Sequence, residues 1–328
     1  MLLFSATTAA LLLSTASAQL GPGSGPWTVA TPESVGLSAE ALREAEEAVN
    51  GRVGARICYI VIKDGVIVEE RYRLGHTEAS TTQGFSTTKS QCSSLYGIAR
   101  QEGWADPTEP IAARNSGTRQ CNPAAEFRHS LSMTGESDDL SEPTWLYDTG
   151  GTRCLDTVSD FIAENNPEGL TAEQYKDRKW TAPLGIEHST WVSGSSGTLP
   201  CGSGAVMSCR DLARTALLWT NGGQWPEHGQ LVSEEHVAMG RRLGPEGPGA
   251  RLEGPAYGNT VWLASPDDPV DPERYVCKQQ PSLCWCFVLI LTDCLCLQRV
   301  VHRGCRAVRH HLRSAQRRRR QHGLRSRR

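Results

Sequence analysis

The sequence predicts an α+β fold, an antiparallel sheet flanked by helices with an added helical region, and three observations predict it. First, RICYIVIKDGVIVEERY sets two β-branched runs, Ile57 to Ile62 and Val66 to Tyr72, on either side of Asp64-Gly65, a dipeptide suited to a tight hairpin. Second, the stretch after the next polar loop, GFSTTKSQCSSLYGIARQEGW, changes to helical spacing. Third, the chain of 328 residues spreads its apolar residues over the first 275 positions, enough to bury a large core.

Taken in order, residues 21–36 are rich in Gly and Pro and read as an extended leader. Ser38 is placed to cap a helix reaching about Asn50, with Leu42, Ala45 and Val49 on one face. The hairpin follows, then the helix that contains Cys92, Leu95, Tyr96 and Ile98. Residues 105–150 are loop-rich. Helices are expected again over residues 154–166, where Leu155, Val158, Phe161 and Ile162 form a stripe, and from Leu170 to Pro183 with Thr171 as cap. A last helix, Asp211 to Asn221, is stopped by Gly222-Gly223. No period of 20–50 residues recurs.

The first residues, MLLFSATTAALLLSTASAQL, are apolar or small and end in Ala16-Ser17-Ala18, a small-x-small cleavage pattern. Residues 1–18 are therefore expected to be a signal peptide and the mature chain to begin near Gln19. The absence of Lys and Arg before the apolar run leaves a buried N-terminal helix as the competing reading, and the run is short for a membrane span. Export would bring the twelve cysteines into an oxidising compartment. There Cys58, Cys92, Cys121, Cys154, Cys201 and Cys209 supply up to three disulfides, whose pairing the sequence leaves open. The spacings Cys284-x-Cys286 and Cys294-x-Cys296 do not match structural zinc sites, so no metal is expected.

Chemistry concentrates at Ser86-Thr87-Thr88-Lys89. Residues three apart on a helix face the same way, which brings a lysine amine within reach of a serine hydroxyl. Serine needs such a base because its own hydroxyl is barely nucleophilic at neutral pH. To act, Lys89 must fall from about 10.4 to about 7, roughly 4 kcal/mol of differential stabilisation, which burial beside Ser86 and a tyrosine supplies. The tetrapeptide alone also fits an exposed helical Ser and Lys. Its setting argues for more: it follows a hairpin, opens a helix, and is preceded by Gly84-Phe85, which lets the chain turn sharply before the nucleophile. A serine at a helix start also has backbone N–H groups and the positive dipole end beside any developing oxyanion.

With these residues the sequence resembles the serine β-lactamase and penicillin-binding-protein superfamily, and specifically its class C-like branch of esterases, peptidases and amide hydrolases. The resemblance spans roughly residues 30–265. Its landmarks come in order: Gly84 to Lys89, then Arg128-His129-Ser130-Leu131-Ser132-Met133-Thr134-Gly135, then Trp180-Thr181-Ala182-Pro183-Leu184-Gly185-Ile186 with Ser189-Thr190-Trp191. Gly202-Ser203-Gly204, Arg210 to Arg214 and Asn221 to Trp225 complete the series. The resemblance implies a β-lactamase/transpeptidase-like fold and a tyrosine from a Y-x-N motif that moves the proton between serine, lysine and leaving group. The matching residues are Tyr147-Asp148-Thr149, with Thr where the family has Asn. Tyr96 and Tyr175 compete for the role but fall inside helices and read as packing residues. The family's inner-strand K-T-G or H-x-G has no convincing counterpart. Tyr257 to Trp262 reads as the start of a late strand, and His302-Arg303-Gly304 spells H-x-G only within an arginine tract.

The composition breaks near residue 275. Residues 1–275 carry 21 basic and 35 acidic side chains, whereas residues 276–328 carry 13 basic and one acidic, with six cysteines. Coincident breaks in charge, cysteine usage and motif order point to a segment that stands in for missing or replaced C-terminal strands, as alternative splicing or a faulty gene boundary would produce. The competing reading is a basic arm for nucleic acid, acidic polysaccharide or anionic lipid. The apolar run Cys284 to Leu291 is too short to span a membrane.

The expected organisation is thus a signal peptide (1–18), a leader (19–36), a β-lactamase-related domain (37–275) and a Cys/Arg-rich tail (276–328). The expected function is a secreted serine hydrolase that forms an acyl-enzyme on an ester, amide or lactam. Ser86, Lys89 and Tyr147 carry the chemistry, no cofactor is needed, and the partner is a small-molecule or peptide acyl substrate rather than nucleic acid. The alternative is a secreted, inactive binding or scaffold protein of the same fold.

Overall fold

The computed structural model describes residues 20–50, 57–111, 121–147, 154–195, 197–241, 256–263 and 286–291. The expected signal peptide, Asp148-Thr149, His302-Arg303-Gly304 and the tail apart from residues 286–291 lie outside them.

Helix α1 (Ala39–Asn50) begins as its cap predicts, with the Ala41 N–H donating to Ser38 Oγ at 3.2 Å, and it turns Leu42 and Ala45 inward. Strands β1 (Cys58–Lys63) and β2 (Val66–Tyr72) form the antiparallel hairpin. Asp64 and Gly65 both take positive φ, 51° and 79°, the backbone twist that a two-residue hairpin turn requires. Strand β1 is covered on both faces: Cys58 to Ile62 are fully buried, each large aliphatic contributing about 1.5–3 kcal/mol. Its second edge pairs in parallel with strand β9 (Cys286–Leu291), Cys58 opposite Cys286 and Lys63 opposite Leu291. Six residues of the segment expected to be a tail thus belong to this sheet. A separate antiparallel pair, β3 (Thr81–Gln83) with β4 (Val206–Ser208), leads the chain into the Ser86 turn.

Helix α2 (Thr88–Gln101) runs through the middle of the molecule, with Gln91 to Ala99 all buried. Its Tyr96 ring packs against Phe127 and Phe161 at centroid distances of 5.1 and 5.7 Å. Those rings come from helices α3 (Phe127–Leu131) and α4 (Thr157–Asn165). Tyr96 and Tyr175 are core residues, their hydroxyls donating to the Asp106 carbonyl and to Glu102. The helix expected from Leu170 to Pro183 is instead three pieces: α5 (Ala172–Lys176) behind a Thr171/Gln174 capping box, a π-turn (Asp177–Thr181), and α6 (Ala182–Leu184). Pro183 has no N–H to continue an α-helical ladder, and the wider turn absorbs that break. Helix α7 (Cys209–Thr220) is capped by Ser208 Oγ and ends at Gly222 and Gly223, φ 68° and 88°. The short hairpin β5 (Gln224–Trp225) with β6 (Gly229–Gln230), helix α8 (Glu234–Gly240) and the hairpin β7 (Ala256–Tyr257) with β8 (Trp262–Leu263) lie between α7 and β9.

The extended leader is packed against the rest of the chain. The Ile67 N–H donates to the Thr28 carbonyl, and the Ala30 N–H donates to that of Ile67, so the segment runs alongside β2. Arg214, 1% exposed, donates to the carbonyls of Gly23, Gly25 and Leu184 and lies 5.5 Å from the Trp27 ring. The three carbonyl dipoles offset the cost of burying that charge. The six cysteines pair as Cys58–Cys209, Cys92–Cys201 and Cys121–Cys154. Such pairing is typical of proteins that mature in an oxidising compartment. Among the described residues no helix is long and apolar enough to cross a membrane.

Candidate active site

Strand β3 delivers the chain to Gly84, whose N–H donates to the Ala205 carbonyl at 2.7 Å. A Cβ at Gly84 would lie 2.9 Å from that same oxygen, so this approach needs glycine. Phe85 then takes φ 43°, a left-handed conformation that costs a residue with a Cβ about 1–3 kcal/mol and reverses the chain sharply. Ser86 follows in the short 3₁₀ turn Phe85–Thr87 that leads into α2. Thr87 Oγ1 donates to the Gly84 carbonyl at 2.6 Å, and Thr88 Oγ1 accepts the Ala205 N–H at 3.1 Å, fastening the turn to the strand entering β4.

Lys89 lies on the first turn of α2, 3% exposed. Its Nζ is 3.0 Å from Ser86 Oγ and donates to the Gly202 carbonyl at 2.6 Å. Burial holds the amine down to about 8, against the opposing pull of the Asp156 carboxylate. At pH 7 roughly a tenth of the molecules then carry it as free base. The amine also lies 4.9 Å from the Tyr147 ring centroid. Burial raises the Tyr147 phenol above its ordinary value, and its hydrogen bond with Ser86 works the other way, so at neutral pH the group is a phenol.

Ser86, Lys89 and Tyr147, three residues drawn from two segments some sixty positions apart, therefore meet. The segment bearing Tyr147 is fixed by several ties. The Leu146 N–H donates to the Met133 carbonyl at 3.0 Å, and Asn122 Nδ2 donates to that of Ser137 at 2.7 Å. The Tyr147 ring contacts those of Trp145 and Tyr257 at 5.8 and 5.7 Å. The Arg128-to-Gly135 motif is scaffold for this segment: Ser130 Oγ donates to the Cys154 carbonyl, and the Thr134 N–H donates to that of His129. On the other side Ser90 Oγ donates to the Thr260 carbonyl, and the Thr260 N–H donates to that of Leu131, binding the β7–β8 hairpin to α2 and α3. A cavity of about 220 Å³, lined in part by Trp180, Trp191, Ala205 and Met207, borders the same β4 strand.

Sequence reasoning missed two contributors. The Gly202 carbonyl is a main-chain acceptor, and the Gly202-Ser203-Gly204 motif was its only trace. Asp156 had no signal, because its influence depends on chain segments brought together by folding.

The serine β-lactamase and penicillin-binding-protein fold is the class to which this arrangement of sheet, helical layer and Ser86 turn corresponds. Among solved structures the chain is similar to a protein assigned as a β-lactamase from Bacteroides dorei, TM-score 0.52 at 13% identity, over 68% of this chain and 78% of that one. It is also similar to a penicillin-binding-protein homologue from Caulobacter crescentus, TM-score 0.51 at 13% identity, covering 70% and 81%. A protein assigned as a 6-aminohexanoate-dimer hydrolase from Bacillus anthracis gives TM-score 0.51 at 16% identity, covering 66% and 67%. No family model and no curated protein matches the sequence, so what these structures establish is the fold.

Proposed function

We propose that the protein is a secreted serine hydrolase that forms an acyl-enzyme at Ser86 on an ester, amide or lactam. The observation that carries the reading is the meeting at Ser86 of a buried lysine amine, 3.0 Å from Oγ and held near 8, with a tyrosine hydroxyl. In the reaction Ser86 Oγ bonds to the substrate carbonyl carbon while its proton passes to the free-base amine of Lys89. The oxyanion forms at the start of α2, where backbone N–H groups and the helix dipole favour negative charge. Collapse breaks the bond to the leaving group, which takes a proton from Tyr147, and Lys89 returns its proton to the phenolate. Water then cleaves the ester at Ser86 by the same proton path in reverse. Hydrolase names among the similar structures and three disulfides agree with a secreted enzyme of this kind.

The test is covalent labelling of the full chain with a fluorophosphonate probe and with a penicillin-type probe, followed by peptide mass spectrometry. Labelling at Ser86 that disappears in Ser86→Ala is expected. A folded sample that neither probe labels would overturn the enzyme reading in favour of an inactive scaffold, the outcome that Thr149 in place of asparagine and the unplaced K-T-G or H-x-G would explain.

A further inference from the structure

Asp156 stands at the start of α4 and belongs to none of the three groups that meet at Ser86. Its Oδ1 accepts the Cys201 N–H at 2.7 Å. Cys201 is cross-linked to Cys92, which lies on α2 one turn beyond Lys89, and both sulfurs are in the core. The next residue, Gly202, offers Lys89 its carbonyl at 2.6 Å. The loop carrying that carbonyl is therefore tied to α2 by a covalent bond and to α4 by a charge-assisted hydrogen bond, the stronger kind.

We propose that Asp156 is a positioning residue of the Ser86 site: through Cys201 it holds the Gly202 carbonyl against Lys89, and it brings a carboxylate to the residue next to that carbonyl. The inference rests on the hydrolase reading above for its functional meaning. A free-base amine has two N–H donors and one lone pair. With one N–H committed to a fixed carbonyl, the amine has fewer orientations, and its lone pair can be directed at the Ser86 hydroxyl. If the carbonyl drifts, the amine rotates and the reacting geometry is lost, a cost of the kind that small misplacements impose on positioned groups.

The carboxylate has a second effect. Among the described residues the Ser86 hydroxyl, the Tyr147 ring and the Gly202 carbonyl face Lys89, and Asp156 acts on it by charge. Burial pulls the amine down and Asp156 pulls it back up, so the acid stops the amine from falling further. The same side chain thus steadies the acceptor and limits how readily the base gives up its proton.

Two substitutions separate these effects in the full chain. Asp156→Asn keeps an oxygen for the Cys201 N–H and removes the charge, whereas Asp156→Ala removes both. Lysine side chains labelled with ¹³C at Cε report each protonation midpoint by NMR, and the Lys89 signal is the one lost in Lys89→Met. The fluorophosphonate rate at Ser86 is measured over the same pH range. In Asp156→Asn the Lys89 midpoint is expected to fall by about 0.5–1 pH unit. Its labelling rate on the alkaline plateau, where the amine is free base in both proteins, should stay within about threefold of the parent, with the acidic limb moved the same way. In Asp156→Ala labelling is expected to be about tenfold slower on the alkaline plateau, with the acidic limb displaced as in Asp156→Asn.

A Lys89 midpoint unmoved in Asp156→Asn overturns the inference. Parental labelling by a folded Asp156→Ala also overturns it. Should Asp156→Ala not fold, Asp156→Asn decides alone. Failure of the hydrolase reading is distinguishable, because it appears as no Ser86 labelling in the parent, whereas the lysine titration is read without any reaction.

Discussion

Lys89→Met should make the protein's stability less dependent on alkaline pH, because it removes a buried amine whose proton is held less tightly in the folded chain. The amine is held at about 8 in the folded chain against an ordinary 10.5, a displacement worth roughly 3 kcal/mol. Because the folded-state value is the lower one, the unfolded chain binds a proton that the native chain does not between about pH 8 and 10.5. Stability of the parent therefore rises with pH across that window, and below about 8 the full cost of burying the ammonium is carried. Methionine fills a similar volume and has no proton to bind. The stability of Lys89→Met minus that of the parent should accordingly be greater at pH 7 than at pH 10.5, by roughly 3 kcal/mol. The absolute offset is less informative, since methionine leaves the Gly202 carbonyl without its donor, at a cost of about 1–3 kcal/mol. The assay is urea unfolding of both proteins at half-unit pH steps from 7 to 10.5 with the disulfides intact. Two curves that stay parallel within about 0.5 kcal/mol would refute the burial argument and with it the account of Lys89 as a base.

Two further outcomes follow from the same geometry. Tyr147→Phe removes the hydroxyl at Ser86 and keeps the ring beside Trp145 and Tyr257, so turnover of an ester should fall about 10²–10⁴-fold with the fold intact; a loss below threefold in steady-state kinetics would exclude Tyr147 from proton transfer. His236 is wholly buried, its Nε2 is 2.9 Å from Ser93 Oγ, and burial holds it down to about 3. The unfolded chain gains a proton below about pH 6.5 that the native chain refuses, so stability should fall as pH drops from 6.5 towards 3, by about 1.4 kcal/mol per pH unit. Acid unfolding of His236→Phe should be shallower over that range, and an unchanged slope would show that other groups govern it.

Much of the site was legible because its signals are local. Asp64-Gly65 marks a hairpin by backbone preference alone, and Ser86 and Lys89 fall three apart after a glycine that no other residue can replace at that approach. Tyr147 was reached through motif order, and its contact with Lys89 depends on a segment held by Met133 and Asn122 rather than on its own neighbours. What stayed hidden was carried by groups without residue identity or by long-range pairing. A main-chain carbonyl such as that of Gly202 leaves no trace in side-chain chemistry. Strand β9 finds its partner β1 more than two hundred residues away, past a break in composition that drew attention to charge instead. The leader's glycines and prolines spelled an extended segment, whereas its docking comes from main-chain pairing with Ile67 and from Arg214, whose guanidinium gathers carbonyls that any sequence would present.

The three cross-links differ greatly in span, and that orders how the site can be built as the chain is synthesised. Cys121 and Cys154 are 33 residues apart and can join as soon as their segment emerges, closing the stretch that bears Tyr147. Cys92 and Cys58 must wait for partners 109 and 151 residues downstream. Until Cys201 arrives, the turn bearing Ser86 and the first turn of α2 bearing Lys89 have been made, but the Gly202 carbonyl to which Lys89 donates does not yet exist. A nascent chain thus lacks the Lys89–Gly202 contact through most of its elongation, and the Cys92–Cys201 bond beside that contact must wait for the same segment.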